Sequence, residues 1–160
     1  KLEIKNNIKY DIVVMVQGDE PLIKVDDVEL SISALIDNEN NKVVNLIEKI
    51  RSEEEFNDHN TIKCVFDKEY NALYFSRSKI PYNGFSLGNA YKQVCVIPFR
   101  AKFLREYLKM DQSLLEIVES VDMMRVLENG INVKLVEINK ITHAVDTESD
   151  IKLVENLLNQ

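Results

Sequence analysis

The chain has 160 residues, 45% of them hydrophobic and 29% charged, with four glycines, three prolines and no tryptophan; that is enough for one domain with a sizeable core. A net charge of −7 with no long basic cluster argues against nucleic acid as a partner. No signal peptide and no apolar run of about 18 residues appears, so no membrane-spanning helix is expected.

The chain opens at Lys1 without a methionine, in a charged segment with the character of a helix tail, and an amino-terminal portion is expected to precede it. Asp11 to Val16 is an apolar run of strand length that ends in Gln17-Gly18-Asp19-Glu20-Pro21. Such a run reads as a buried parallel strand emerging at the carboxyl edge of an α/β sheet, where ligands bind. Val28, Ile32, Leu35 and Ile36 then repeat at helical spacing behind Asp26 and Asp27, which predicts a helix over Val25 to Asp37. Lys42 to Asn60 is mixed and acidic, and only Ser52-Glu53-Glu54-Glu55 points to an element, a short surface helix. Thr61 to Asp67 and Ala72 to Arg77 form a hairpin by pattern, and Asn83 to Asn89 reads as a loop. Tyr91 to Ile97 is read as one strand closed by Pro98, with a helix from Phe99. Leu114, Ile117, Val118, Val121 and Met124 predict one amphipathic helix ending near Asn129-Gly130. Asn132 to Ile138 is a strand, and the capping box Thr147-Glu148-Ser149-Asp150 starts a last helix with Ile151, Val154, Leu157 and Leu158 on its buried stripe. Strands alternating with helices argue for an α/β fold with a mostly parallel sheet and one β-hairpin insertion. Cys64 and Cys95 lie inside apparent strands and read as reduced core thiols, for which the cytoplasm is the natural compartment.

Two carboxylates stand where a strand or its following turn meets the sheet edge, Asp19 and Asp146. Hard cations such as magnesium take one or two carboxylates and complete their shell with water and phosphate oxygens, an arrangement suited to phosphoryl or nucleotidyl transfer. Asp19 reads equally as a turn carboxylate bonding nearby amides, and Asp146 as helix-start electrostatics before Thr147. Gln17 is placed to hydrogen-bond a ligand or simply to end its strand. Arg77 has the planar fork that suits a carboxylate or phosphate, and also a surface ion pair. Glu116, Glu119 and Met123 share a second helix face, for which solvation is the default, and Asp122 and Arg125 have the spacing of an intrahelical pair. His59 and His143 have no partner at metal-ligand or triad spacing. There is no Gly-rich phosphate loop.

The ordered set Val16-Gln17-Gly18-Asp19-Glu20-Pro21, Asn71-Ala72-Leu73-Tyr74-Phe75-Ser76-Arg77-Ser78, Ile80-Pro81-Tyr82, Leu115-Glu116 with Glu119 and Arg125, and Val145-Asp146-Thr147 with Asp150 resembles the 3-deoxy-manno-octulosonate cytidylyltransferases, the CMP-Kdo synthetases of the CMP-sugar synthetase superfamily. The resemblance spans nearly the whole chain. It implies a Rossmann-like α/β nucleotidyltransferase whose first strands are missing here, residues 1–160 being the carboxyl-terminal two-thirds of a single cytidylyltransferase domain. The implied activity couples CTP to a Kdo-like sugar acid with release of pyrophosphate, for lipopolysaccharide or capsule synthesis, in a magnesium-dependent homodimer. By the same resemblance, Asp19 and Asp146 hold the metal, Gln17 contacts substrate, and Arg77, Tyr82, Glu119 and Met123 line the sugar-acid pocket.

Three departures shape the expectations. The family's opening Arg, Ser and Pro-Gly-Lys loop that grips the CTP phosphates is absent, so residues 1–160 alone are expected to be inactive with CTP. Lys92-Gln93-Val94-Cys95 stands where His-x-Gly is usual, and Met123 where a sugar-contacting glutamine is common. The last two point to an amino-substituted or differently decorated ulosonic acid. Two other classes stay open at this level: a noncatalytic sugar-nucleotide-binding or dimerisation module, and another transferase on a similar sheet.

Overall fold

The computed structural model describes residues 7–145 and 147–159. Its elements run β1 (Ile12–Val16), α1 (Val25–Ile36), β2 (Val44–Lys49), α2 (Glu53–Asn57), β3 (Lys63–Phe66), β4 (Ala72–Ser76), β5 (Tyr91–Val94), β6 (Val96–Arg100), α3 (Ala101–Tyr107), α4 (Leu114–Glu119), α5 (Met123–Glu128), β7 (Lys134–Ile138) and α6 (Glu148–Leu158). Five strands form one sheet in the order β4-β3-β5-β2-β7, and β1 and β6 form a two-stranded ribbon. The bridge Val43↔Phe99 ties that ribbon to the start of β2.

The α/β architecture follows the expectation, but the strand directions differ from it. Among the described residues β2 with β7 is the parallel pairing; β1 with β6, β2 with β5, β3 with β4 and β3 with β5 are antiparallel. Apolar runs show that a segment is a strand, not which distant strand it meets, and β1 finds its partner more than eighty residues away in β6. Tyr91 to Ile97 is likewise two strands, stepping at Cys95 from the large sheet to the ribbon. Pro98 continues β6 opposite Val14 instead of closing it. A proline is tolerated there because the far edge of β6 meets β2 only at the isolated bridge beside it, Val43↔Phe99.

β2 is absent from the sequence reading because Asn45 and Glu48 interrupt its apolar run, yet both are buried. Asn45 is satisfied by donating to Leu46 O at 2.7 Å and Val94 O at 2.9 Å. The short helix α2 forms as expected, with Ser52 Oγ accepting from Glu55 N at 3.1 Å. Asp67 shapes the hairpin turn by accepting from Asn71 N at 2.8 Å and Glu69 N at 2.9 Å. Two apolar clusters flank the sheet: Ile47, Cys64, Phe75, Phe103, Met124 and Leu135 in one, and Leu46, Val94, Val96 and Ile138, with Val28 of α1 against them, in the other.

The largest correction concerns residues 114 to 129. One helix was expected there, but Ser120 adopts a left-handed conformation (φ 55°) and splits the segment into α4 and α5. Leu114, Ile117 and Val118 are 70%, 59% and 68% exposed. Glu116 is the buried residue of α4, held by Arg125 of α5, whose Nε donates to Glu116 Oε2 at 2.7 Å and whose Nη2 also bonds Glu116 Oε1. Arg125 therefore pairs with Glu116, not with Asp122. A buried carboxylate needs such a partner, and this need overrides the apolar stripe.

Hydrogen bonding from Arg125 holds the Glu116 carboxyl below its ordinary pKa of 4.5. The pair's contribution to stability is therefore present above that value and is lost as pH falls through the lower folded pKa. Arg125→Met is expected to reduce the unfolding free energy by about 3 kcal/mol at neutral pH, with the difference from wild type shrinking as pH falls below the ordinary 4.5. Urea unfolding at neutral pH and below that value checks this; a penalty that does not depend on pH would remove the ion pair as its source.

Candidate functional site

A cavity of about 200 Å³ opens where the turn after β1, the approach to β3, the end of β4, the β5–β6 step and the β7–α6 connection meet. The turn after β1 is tied down by its backbone, Gln17 N donating to Cys95 O at 3.2 Å and Glu20 N to Gln17 O at 3.4 Å. The buried Glu20 accepts from Cys95 N at 3.2 Å through Oε1. Its Oε2, like Oδ1 of Asp19, is sealed from solvent without a hydrogen-bond partner among the described residues. Burial pushes the Glu20 pKa up, against the opposing pull of the Cys95 amide and Lys92.

Asp146, expected to converge with Asp19, lies outside the described residues; its neighbours on either side approach Asp19 and the cavity. Val145 N donates to Asp19 O at 2.9 Å, and Thr147 lines the same cavity. Further along that wall Thr147 N donates to Asp150 Oδ2 at 2.7 Å, the predicted capping box, and His143 Nε2 lies 2.9 Å from Asp150 Oδ1.

A buried ionic network supports another wall. Lys92 Nζ donates to Glu55 Oε1 at 2.6 Å and Thr142 O at 2.8 Å and lies 3.3 Å from Glu48 Oε2. Glu48 Oε2 in turn accepts from Thr142 N at 2.9 Å and Thr142 Oγ1 at 2.7 Å. Helix α2, the β7–α6 connection and the sheet are thereby locked together beside the cavity.

Arg77 lines the cavity from the end of β4. Its Nε donates to Glu119 O at 3.0 Å, Nη2 to Ser120 O at 3.3 Å, and Nη1 to His59 O at 3.1 Å. The Glu119 carboxylate faces the same strand end, accepting from Ser76 Oγ at 3.0 Å, Tyr74 Oη at 3.1 Å and Arg77 N at 3.0 Å. The sequence-nominated residues thus divide. Gln17, Asp19 and Arg77 line the cavity, while Glu119 lies behind Arg77 and is not among the lining residues. Met123 is 1% exposed inside the larger core cluster, away from the lining, because the short helix α5 turns it inward. Tyr82 lines a separate cavity of about 300 Å³ with Phe56, Phe85 and Lys79.

Glu20, Lys92, Gln93, Thr142, His143 and Asp150 also line the first cavity and were not nominated. The signal for Lys92 is a charge inside a strand-like run; His143 and Thr142 sit in a connection whose sequence shows no spacing. Five carboxylates on the wall, Asp19, Glu20, Glu55, Asp58 and Asp150, face two fixed cations, Arg77 and Lys92. An anionic ligand here requires a cation of its own.

The family model described as cytidylyltransferase matches residues 1–141. The chain belongs to the cytidylyltransferase family. A 3-deoxy-manno-octulosonate cytidylyltransferase of Thermodesulfovibrio yellowstonii is 38% identical across 92% of this chain and 60% of its own length. One from Francisella tularensis subsp. novicida is 39% identical across 93% and 63%. The chain therefore spans about 60% of these curated relatives. A solved CMP:2-keto-3-deoxy-manno-octonic acid synthetase, complexed with CTP, superposes with a TM-score of 0.85 at 33% identity, over 99% of this chain and 66% of that one. A glucose-1-phosphate thymidylyltransferase structure from Bacillus anthracis shares the fold alone, at 11% identity and a TM-score of 0.61.

Burial and the adjacent Glu119 carboxylate raise the pKa of Tyr74. Because a negative neighbour disfavours the phenolate, Glu119→Gln is expected to lower the Tyr74 pKa toward its ordinary 10.0. An NMR titration of the Tyr74 ring reads this, and an unmoved value would detach Glu119 from the β4 end.

Proposed function

We propose that this chain carries the acceptor-side part of a CMP-Kdo synthetase, in which CMP is transferred from CTP to the anomeric hydroxyl of a 3-deoxy-ulosonic acid. The sugar oxygen forms a bond to the α-phosphorus, the bond from that phosphorus to the β-phosphate bridge breaks, pyrophosphate leaves and the hydroxyl proton passes to solvent. The product is an activated sugar suited to lipopolysaccharide or capsule synthesis. The observation that carries this reading is the Asp19 carboxylate, with one oxygen buried and unpartnered, on a backbone hydrogen-bonded to the segment that leads into position 146.

The donor set fits magnesium. Among the described residues no cluster of three or more His, Cys, Asp and Glu is placed to hold a metal, and magnesium needs only one or two carboxylates beside water and phosphate oxygens. Asp19 and Asp146 would hold it, and it would offset the triphosphate charge in a cavity whose own wall is acidic. Gln17 contributes a hydrogen-bonding amide beside Asp19, and Arg77 a cation for the acid. Positioning and electrostatic stabilisation supply the catalysis, with no covalent enzyme intermediate.

Lys92, Gln93 and Cys95 on the cavity wall support an acceptor that differs from unmodified Kdo; Met123, in the core, adds nothing to that choice. The exposed apolar face of α4 supports a homodimer, and Cys64 and Cys95, which are not joined in a disulfide, support a cytoplasmic setting.

In the complete protein Asp19→Asn is expected to lower kcat/KM by about 10²-fold or more while leaving the far-UV circular dichroism unchanged. It is also expected to abolish the rise in melting temperature that magnesium produces in the wild type. Turnover equal to wild type would end the metal role of Asp19, and an absence of CMP transfer to any ulosonic acid by the wild type would end the proposed activity.

A further inference from the structure

Among the described residues Lys63 heads the fully buried side chains by size, at 0% exposure. It stands at the start of β3 in a cross-strand row with Lys92 and Ser76. A buried ammonium is costly, and an apolar side chain would fill the same space without that cost. What Lys63 supplies is three N–H donors, and all three are used: Nζ bonds Asp58 O, Thr61 O at 2.9 Å and Arg77 O at 3.1 Å. Three carbonyl acceptors require the ammonium form, since a neutral amine has one N–H fewer.

The loop these bonds hold is shared with Arg77, whose Nη1 donates to His59 O at 3.1 Å and Asn60 O at 3.5 Å. Four successive carbonyls, from Asp58 to Thr61, therefore accept from two cations. Lys63 in addition fixes the backbone of Arg77 itself. Asp58, Asn60, Thr61 and Arg77 all line the cavity, whereas Lys63 does not. We propose that Lys63 is a positioning residue for the acceptor acid: from inside the sheet it sets the Asp58–Thr61 wall and the start of the Arg77 side chain in one arrangement. The part of the proposal that concerns the acid rests on the synthetase reading above; the clamp itself does not.

Two measurements on the complete protein test it. In the 15N-labelled wild type the Lys63 ammonium protons are expected to give a resolved signal at neutral pH, because they are hydrogen-bonded and shielded from exchange. A signal that exchanges as fast as those of surface lysines would overturn the clamp. In steady-state kinetics with CTP and whichever of Kdo and its amino-substituted analogue the wild type turns over faster, Lys63→Met is expected to raise KM for the sugar acid about tenfold, with KM for CTP and kcat within about twofold. Lys63→Arg, which keeps the donors, is expected to recover most of that loss. Equal rises in both KM values, an unchanged KM for the acid, or no recovery with arginine would each overturn the positioning role. Should Lys63→Met fail to fold, Lys63→Arg and the wild-type ammonium signal decide. Should the wild type transfer no CMP at all, the synthetase reading falls, and with it the role toward the acid, while the ammonium signal still decides the clamp.

Discussion

A row of buried polar side chains crosses the middle of the five-stranded sheet, and the rest of the site depends on it. Glu48 of β2 is opposite Lys92 of β5, Lys92 is opposite Lys63 of β3, and Lys63 is opposite Ser76 of β4. All four are buried. None can stay there unless its hydrogen bonds are met, and the partners they reach bound the cavity or stand directly behind its wall: α2 and Thr142 for the Glu48–Lys92 pair, the Asp58–Thr61 loop for Lys63, and Glu119, behind Arg77, for Ser76. The apolar clusters above and below make the sheet stable, but they carry no information about where those connections lie. The polar row supplies it.

The same logic gives the cavity its charge. Lys92 has its donors directed at Glu55, Glu48 and Thr142, and Arg77 spends most of its guanidinium on backbone carbonyls. Both cations stiffen the wall more than they offset its acidity. Asp19 and Glu20 line the cavity, and each keeps one buried oxygen that no described residue meets, so neither cation of the wall neutralises that side of the space.

Much of this was legible beforehand. The Gln17-Gly18-Asp19 turn, the β3–β4 hairpin, the limits of α1 and the capping box before α6 follow from local chemistry that acts over a few residues: strand runs, turn carboxylates and caps. What local chemistry does not encode is partnership at a distance. β2 was missed because Asn45 and Glu48 look wrong for an interior until their partners Val94 and Thr142 are known. The helix over 114–129 was misread because the buried charge of Glu116 is balanced from α5, and the apolar residues that set the pattern face outward. In the site, family order points to Gln17, Asp19 and Arg77, which line the cavity, whereas Lys63, Lys92 and His143 are recognisable only once the strands are aligned.

The interruption at Ser120 reaches further than helix geometry. In an unbroken helix the carbonyls of Glu119 and Ser120 would be consumed by amides one turn later. With the left-handed residue there, Met124 N and Arg125 N turn instead to Val121 O and Asp122 O, and the guanidinium of Arg77 docks on the carbonyls of Glu119 and Ser120. Straightening this segment into regular helix would cast that side chain adrift, so a kink in the wrapping of the protein serves as the mooring for its most exposed cation beside the cavity.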